Sequence, residues 1–475
     1  MSKAPAAAPS GRLSLPAVLA FACAYMPFAA LQLSVAVQLP PFFASQLGLG
    51  LAAGAAFGVV RLIDIPVDPA LGLFIDRTNT PIGRYRPWMI AGAPILMLAL
   101  YMLYQAHEGI SEAYLVVWLL VVYLGMSILL VAGNAWASTL ATSYKERSRI
   151  FGAMLAMGVL GTVACLLIPV VFEKTHHTEL EGMRAVGWFL LVLSPVAVLI
   201  AVSRTRERAV AAEAGPRFRM ADYARLLSRG NVLRIVAADF CVTMGPGWMA
   251  ALYFYYYRQS RELSLSAASL LLTLYILAGL VGGPATAWLA NRISKHRALI
   301  VSTTLYALML IIIPLLPRGQ AMLYAPPMFL LGALATGFVV MVRAITADVG
   351  DELRLEGGRD LMALLYAVTS ATTKAAGALS IFVSFWLLQV VGFDAKPHAL
   401  NGAPQIHGLE LVFVIGPIVF VMLGGASFFG YKLSADKHAS IRRQLDERDA
   451  VYAESPITQA TAGGAVEAVT ARPDH

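Results

Sequence analysis

The sequence predicts an all-α membrane protein in which twelve transmembrane helices form two six-helix bundles. The chain has 475 residues, of which 58% are hydrophobic and only 13% are charged. That is more apolar side chain than the core of a water-soluble protein can hide. Apolar stretches of about 20 residues, the length that crosses a bilayer as a helix, recur along the chain with short polar breaks between them.

Twelve such spans are predicted, six in each half of the chain. Those in the first half are 14–44, 51–75, 88–106, 113–142, 148–172 and 184–203, and those in the second half are 231–257, 266–290, 298–316, 322–346, 361–391 and 409–431. The longest polar interruption between spans, 204–230, is the predicted linker. The remaining domains are an arm (1–13), the N-terminal bundle (14–203), the C-terminal bundle (231–431) and a tail (432–475). The tail is charged and then small and polar, which predicts a partly helical stub with a disordered end, so that the tail is largely disordered.

The net charge of +8 does not indicate a nucleic-acid partner, because the basic residues gather in alternate loops instead of one stripe or tail. Basic clusters follow the second, fourth and eighth predicted spans, whereas the loops on the other side are acidic or mixed. Basic loops stay on the cytoplasmic side of a membrane. Both termini and the linker are therefore predicted to be cytoplasmic, and the expected location is the bacterial inner membrane.

Charged residues occur near the middle of two predicted spans. Asp64 and Asp68 lie four residues apart on one face of the second span, and two anions roughly 6 Å apart repel by about 3 kcal/mol at an effective dielectric constant near 20. The pair therefore needs a proton, a cation or a basic neighbour. The candidate basic neighbours are Arg61 and Lys374, and Lys374 is the only charged residue of span 361–391. Two carboxylates with one ammonium carry a net charge of −1, which one monovalent cation neutralises. A static ion network is the alternative, but intramembrane charges more often mark ion or substrate pathways.

Two motifs carry a family resemblance. "RLIDIPVDPALGLFIDRTNTPIGRYRPW" (61–88) resembles the signature of the glycoside-pentoside-hexuronide:cation symporter family, which is melibiose permease-like and belongs to the major facilitator superfamily. "ADVGDELRLEGGRDLMALLYAVTSATTKAAGALS" (347–380) resembles that family's segment joining helices 10 and 11. The resemblance implies the major facilitator fold, a site for Na⁺, Li⁺ or H⁺ at Asp64 and Asp68, and Lys374 as the lysine facing them. No cofactor other than the coupling ion is expected.

The charged ends of the same two motifs are predicted to form a conformational latch. They lie at the water boundary, where charge pairs between the bundles can break during opening. The predicted latch residues are Asp76, Arg77, Gly83, Arg84, Arg86, Asp348, Asp351 and Arg359.

The sequence departs from the family pattern where a sugar would be held. Asp64 is the first acidic residue of the chain, so helix 1 offers no acid, and 150–172 carries no charge where the family has an arginine. Recognition of the melibiose type is therefore not expected. The residues left to line a substrate cavity are Tyr25, Gln32, Asn134, Trp136 and Tyr366. Trp136 resembles a family tryptophan that could stack on a sugar ring, and ordinary helix packing is the alternative for all five.

These observations predict a secondary active transporter that couples symport of a sugar-like organic solute to Na⁺ or H⁺ by alternating access. One alternative substrate is an amphipathic lipid such as a lysophospholipid, which a distant vertebrate branch resembling this family carries. An intramembrane Mg²⁺-dependent prenyltransferase-type enzyme would need a second acidic cluster, which no span offers, so no enzyme is predicted. A non-transporting receptor also fits the sequence. The partners are a small molecule and the lipid bilayer, and the sequence does not predict the oligomeric state.

Overall fold

The computed structural model describes residues 13–78, 80–140, 144–205, 207, 220–357, 361–396, 399–431, 433 and 435–453. In these segments the protein is helical, and the only strand-like pairing is a single bridge between Thr80 and Gly83. Eleven of the described helices are long and apolar enough to cross a membrane. The prediction of an all-α, multi-pass membrane protein is therefore confirmed.

Seven described helices belong to the first half of the chain. They are α1 (Leu15–Gln46), α2 (Ala52–Asp64), α3 (Val67–Arg77), α4 (Arg86–Tyr104), α5 (Glu112–Leu140), α6 (Tyr144–Lys174) and α7 (Glu179–Arg204). Helix α1 contains π-helical turns at Ser34–Gln38 and Phe42–Gln46 on either side of Leu39–Pro41. The two prolines between these turns lack backbone donors, which disturbs the regular hydrogen bonds of an α-helix.

The second half of the chain follows the same pattern of long antiparallel helices. Its described helices are α8 (Met220–Leu227), α9 (Gly230–Ser260), α10 (Leu265–Ile293), α11 (Lys295–Leu315), α12 (Ala321–Gly357), α13 (Met362–Val390), α14 (Ala403–Ala426) and α15 (Ala435–Ala453). Residues 1–12 of the predicted arm, and residues 206 and 208–219 of the predicted linker, lie outside the described residues. The described part of the predicted tail is mainly helix α15, which packs against α12. Residues 454–475 lie outside the described part of the chain.

The second predicted span, 51–75, is two helices instead of one. Helix α2 ends at Asp64 and α3 begins at Val67, with Pro66 between them. Proline has no backbone N–H and its ring clashes with the carbonyl four residues earlier, so it interrupts a helix. Neither helix is long enough to cross a membrane alone. Together they form the second predicted span, which is why eleven long helices correspond to twelve predicted spans.

Helices α1–α7 pack mainly on one another, as do α9–α14, and the two bundles meet where α2 packs on α13, α6 on α10, and α1 on α9. Small residues allow the first of these approaches. A Cβ atom added to Gly54 would lie 2.2 Å from the Phe385 ring, and one added to Gly58 would lie 2.7 Å from Cβ of Phe382. Glycine at these two positions lets the α2 backbone pack directly against α13.

The helix ends form two faces of the molecule. The linker face contains the helix ends at Arg77, Arg86, Arg204, Gly230 and Gly357, and the opposite face contains those at Gln46, Ala52, Lys174, Glu179, Ser260 and Val390. The charged residues of the predicted coupling site lie between the bundles, and the described charged residues of the predicted latch lie at the linker face.

Candidate functional site

Lys374 lies between the two aspartates of the broken second span. Its ammonium nitrogen is 2.7 Å from Oδ2 of Asp64 and 2.6 Å from Oδ2 of Asp68. Nζ also donates to the backbone carbonyl of Asp64 at 3.3 Å. Since Lys374 belongs to α13 and the aspartates to α2 and α3, this ion cluster joins the two bundles. The structure thus brings together the three residues that the sequence places at the coupling site.

The two carboxylates have different surroundings. Asp64 is 4% exposed, and its second oxygen accepts a hydrogen bond of 3.0 Å from the Ser127 hydroxyl on α5. The Asp68 side chain is 21% exposed. Its Oδ1 atom is buried and has no hydrogen-bond partner among the described residues. Carboxylate and carbonyl oxygens are the ligands that hard cations prefer, so these oxygens offer a small cation a suitable set of ligands.

Arg61 lies on α2 one turn before Asp64. Its guanidinium carbon is 5.4 Å from the centre of the Tyr123 ring, a cation–π distance. It is within electrostatic reach of both aspartates, although within the described residues no ion pair joins it to either. Two aspartates, Lys374 and Arg61 have a formal net charge of zero. Asp64, Asp68 and Lys374 by themselves carry the net charge of −1 that sequence analysis gives for these three residues.

A second polar group lies beside the first and was missed by the sequence analysis. The hydroxyl of Thr373, the residue before Lys374, donates to Oδ2 of Asp239 on α9 at 2.9 Å. Arg343 on α12 is exposed and within electrostatic reach of both Asp239 and the Tyr25 hydroxyl. The signal was present in the sequence, since Asp239 and Arg343 are isolated charges within predicted apolar spans.

The residues predicted to line a substrate cavity differ in their surroundings. Tyr25 and Asn134 border a void of about 20 Å³ between α1, α4, α5, α6 and α7. Gln32 and Tyr366 are exposed. The Tyr25 hydroxyl is within electrostatic reach of Arg343, a charged group of the other bundle.

Trp136 is fully buried in the N-terminal bundle. Its ring packs edge-on against Phe21, with ring centres 5.1 Å apart and an angle of 84° between the planes. Its indole nitrogen has no hydrogen-bond partner within the described residues. The prediction that this ring lines an open cavity is corrected for this structure, because the large indole fills the space between α1 and α5.

A larger cavity of about 520 Å³ lies near the opposite face, between the bundles. Its polar lining includes Gln38, Gln46, Glu179, Arg258 and Lys396. Arg258 forms a two-pronged ion pair with Glu179, in which Nη1 donates to Oε2 at 2.9 Å. Gln46 donates to the same oxygen at 3.0 Å. The ion pair links α7 of one bundle to α9 of the other.

Two further contacts join the bundles at the opposite face. The backbone N–H and the hydroxyl of Ser266 on α10 each donate to Glu173 on α6 at 2.5 Å. The Ser45 hydroxyl donates to the Tyr255 hydroxyl at 3.3 Å. The opposite face is therefore held closed by polar contacts between the bundles as well as by the α2–α13 packing.

At the linker face, the C-terminal residues of the predicted latch have partners within their own half of the chain. Asp348 accepts from Lys295 at 2.7 Å, and His438 of α15 lies 3.3 Å from it. Asp351 lies 3.1 Å from His438 and 3.3 Å from Arg442 of α15. Helix α15 thus supplies partners for the acids that the sequence assigns to a latch between the bundles. Among the described residues, no ion pair joins Asp348 or Asp351 to the N-terminal bundle.

The N-terminal residues of the latch surround a carboxylate from the predicted linker. Glu207 accepts from the backbone N–H groups of Arg84 at 2.7 Å and Tyr85 at 3.1 Å, at the start of α4. A negative side chain is favoured at a helix N-terminus. Gly83 has a φ of +119°, and a Cβ there would lie 2.1 Å from Oε2 of Glu207. Glycine is therefore required at position 83, beside this carboxylate. Sequence analysis did not identify Glu207 as a partner of the latch.

The remaining latch residues have simpler positions. The Arg86 side chain donates to the backbone carbonyl of Val202, and Arg77 is exposed. The Asp76 side chain and Arg359 lie outside the described part of the chain.

Comparison with known proteins identifies the family. Residues 20–435 match the model of a family described as MFS/sugar transport protein. The chain belongs to this family. It is 25% identical over 445 residues to the uncharacterized symporter YnaJ of Bacillus subtilis (strain 168), covering 88% of this chain and 92% of YnaJ. It is 24% identical over 416 residues to the isoprimeverose transporter of Lactiplantibacillus pentosus, covering 84% of this chain and 85% of that protein.

A vertebrate protein is also similar to this chain. The sodium-dependent lysophosphatidylcholine symporter 1-B of Danio rerio is 21% identical over 473 residues, covering 90% of this chain and 86% of that protein. The family match and these relatives confirm the resemblance to glycoside-pentoside-hexuronide symporters. Because the relatives are transporters, they also confirm that this membrane protein is not an enzyme of the prenyltransferase type.

The crystal structure of a mutant nucleoside transporter NupG has the same fold. The two structures superpose with a TM-score of 0.67 at 12% sequence identity, covering 88% of this chain and 100% of NupG. The similarity concerns the fold alone. The match to the MFS/sugar transport protein family and this shared fold together confirm the predicted major facilitator architecture.

Proposed function

We propose that this protein is a cation-coupled symporter, with Na⁺ or H⁺ as the coupling ion, that carries a sugar-like solute by alternating access. The observation that supports coupling is the position of the Lys374 ammonium, 2.7 Å from Asp64 and 2.6 Å from Asp68. A positive charge at that point relieves the repulsion between two buried carboxylates. A monovalent cation bound there would have the same electrostatic effect.

Coupling then consists of an exchange of positive charges. A Na⁺ ion or a proton that binds Asp64 and Asp68 releases Lys374, because both positive charges cannot occupy one small site. The released ammonium moves toward Thr373 and Asp239, where the second polar group lies. Cation binding thereby changes the charge that a substrate meets between the bundles, and substrate and cation affinities become linked.

Access alternates between the two faces by rocking of the bundles. The inter-bundle contacts of Arg258 with Glu179 and of Ser266 with Glu173 keep the opposite face closed in this structure. In the other state these contacts break and the linker face closes. We propose that Arg84 then approaches Asp348 or Asp351, which must first leave their partners Lys295, His438 and Arg442.

The orientation follows from the distribution of charge. Basic loops at the linker face favour a cytoplasmic location for that face, for the linker and for both termini. The bacterial relatives favour the inner membrane as the site of action. In this orientation the structure is closed toward the outside of the cell.

The sugar-like solute is supported by the family and by the isoprimeverose transporter, which covers most of this chain. A lysophospholipid is the second candidate, because the lysophosphatidylcholine symporter is also similar over most of its length. The two differ in what the space between the bundles must accept, since a lipid needs an apolar path for its chain. Inhibition of sugar counterflow by lysophosphatidylcholine in proteoliposomes separates them.

The decisive variant is Asp68→Asn. We expect it to abolish the effect of Na⁺ or pH on substrate affinity and to abolish uphill accumulation, while a folded protein still binds substrate weakly. Glu356→Gln is the matched control, because it also neutralises an ion-paired carboxylate but lies at the linker face, outside the predicted latch. Substrate binding is measured in purified proteins with and without Na⁺ and across pH. If Asp68→Asn keeps the full cation dependence of the wild type, the pair is structural and the proposal is wrong.

A further inference from the structure

The cavity of about 520 Å³ near the opposite face has no part in the proposed coupling mechanism. Among the described residues that line it, none belongs to the ion cluster of Asp64, Asp68 and Lys374. Small-molecule sites usually have volumes of about 300–1,000 Å³. Exposed side chains, among them Gln259 and Lys396, form the rim of the cavity. The cavity is therefore large enough, and close enough to solvent, to hold a solute apart from the ion cluster.

The floor of this cavity contains a polar group without a partner. Ser269 on α10 lines the cavity and is 0% exposed, and its hydroxyl forms no hydrogen bond within the part of the chain that the structure describes. A buried hydroxyl without a hydrogen bond is unfavourable, and such groups are rare in folded proteins. A ligand hydroxyl in the cavity would supply the missing partner of Ser269.

Two glutamines of α1 also line the cavity. Gln38 and Gln46 each end one of the π-helical turns of α1, and such turns are frequent at functional sites. Gln38 is 4% exposed, and its amide oxygen accepts from the Cys165 thiol at 3.4 Å. Its amide nitrogen has no hydrogen-bond partner among the described residues. The floor of the cavity therefore presents a free amide donor from the N-terminal bundle and a free hydroxyl from the C-terminal bundle.

The charged residues of the cavity leave its floor neutral. Glu179 and Arg258 satisfy each other, since Nη1 donates to Oε2 at 2.9 Å and Nη2 donates to Oε1. Lys396 is exposed at the rim, where water can solvate its ammonium. The aromatic residues Phe254 and Tyr255 line the same space. A few neutral polar groups among apolar and aromatic side chains suit a neutral ligand that has many hydroxyls and apolar C–H faces.

We propose that this cavity is a second binding site, separate from the ion cluster, for a neutral, hydroxyl-rich solute such as a mono- or oligosaccharide. Ser269 and Gln38 hydrogen-bond to the solute, which binds without the coupling ion while the opposite face is closed. Because Glu179 and Arg258 line the cavity and link the bundles, the bound solute lies beside contacts that break when this face opens. The inference goes beyond the proposed function, in which solute binding is linked to the cation.

The test measures whether a sugar covers the rim of the cavity. A cysteine is placed at Gln259, and its rate of labelling by a maleimide is measured in the purified protein with increasing isoprimeverose, lactose or raffinose. We expect at least one of these sugars to slow the labelling. The half-protecting concentration should be the same with and without Na⁺, and in the Asp68→Asn variant. A cysteine placed at His107, which is exposed at the same face outside the cavity, should keep its labelling rate.

Two substitutions test the residues of the floor. Ser269→Ala and Gln38→Leu should each raise the half-protecting sugar concentration about two- to tenfold, the effect of one lost hydrogen bond. Ser302→Ala is the matched control, because Ser302 is also 0% exposed with an unpartnered hydroxyl among the described residues, but lies on α11 outside the cavity. It should leave the half-protecting concentration unchanged. A merely structural role of Ser269 would alter the melting temperature and not the sugar concentration.

Three results would count against the proposal. Labelling that none of the three sugars slows overturns the second site and leaves the cavity as a space for water. Protection that disappears without Na⁺ or in Asp68→Asn reports binding at the ion cluster and also overturns it. So does a half-protecting concentration that neither Ser269→Ala nor Gln38→Leu changes. The proposed symport fails on a different result, the absence of cation-dependent uptake, so the two failures can be distinguished.

Discussion

Replacing Lys374 with glutamine tests whether its ammonium holds the place of the coupling ion. The two aspartate oxygens that it contacts at 2.7 and 2.6 Å are no more than about 5 Å apart. Without the ammonium, the two charges repel by about 3 kcal/mol at an effective dielectric constant near 20. In the wild type Lys374 relieves this repulsion, whereas in the variant only an added cation can.

The variant should therefore bind a cation more tightly than the wild type, although its transport is severely impaired. A gain of about 3 kcal/mol corresponds to an affinity about a hundredfold higher. In the assay, the purified protein is titrated with Na⁺ or with Li⁺ at several fixed pH values, and binding is measured by the thermal stability of the protein. With a proton as the coupling ion, substrate binding should persist to higher pH.

The control for this experiment is Lys295→Gln, which removes another lysine–aspartate pair of the C-terminal half at the linker face. It should leave the cation affinity unchanged. A Lys374→Gln protein that is folded, and that binds Na⁺, Li⁺ and protons no more tightly than the wild type, would refute the exchange of charges. In that case Lys374 would serve only to hold α13 against α2 and α3.

Two further predictions concern the faces of the molecule. Glu179→Gln should favour opening of the opposite face by a few fold, since a half-exposed ion pair contributes only about 0.5–1 kcal/mol. Labelling of a cysteine placed at Gln38 by an impermeant reagent should then increase, whereas Glu262→Gln, which breaks a pair within one bundle, should leave labelling unchanged. Gly83→Ala should destabilise the protein by about 1–3 kcal/mol, because its φ is +119° and Glu207 occupies the space of a Cβ. Melting temperatures check this against Gly72→Ala, which meets no atom within 4 Å and should not lower stability.

Much of the fold could be predicted because membrane helices are recognised in a sequence by their length and apolar composition. The predicted position of the second span was correct, but the break at Pro66 made it two helices. Lys374 could be placed near Asp64 and Asp68 because a buried pair of like charges requires a partner and few candidates exist. This argument needs only the positions of charged residues within apolar spans, and these positions can be read from the sequence.

Other features could not be predicted for physical reasons. Asp239 and Arg343 each lie within an apolar segment, and no local spacing reveals that α9 and α12 bring them within electrostatic reach of each other. Trp136 could equally have faced a cavity or a neighbouring helix, because only packing decides the direction of a ring. The partners of Asp348 and Asp351 depend on the conformational state, and one sequence must encode both states.

The position of Lys374 has a consequence for the ion concentrations at which this carrier can work. The ammonium is covalently attached to α13, so it cannot diffuse away, and it competes with a dissolved cation at a constant effective concentration. For short flexible tethers that concentration is on the order of millimolar. On the proposed mechanism, dilution of the surrounding salt lets the tethered ammonium displace the dissolved cation from the aspartates. The carrier then rests with its ion site filled by its own side chain. The length and freedom of one lysine side chain would therefore set the salinity below which transport stops.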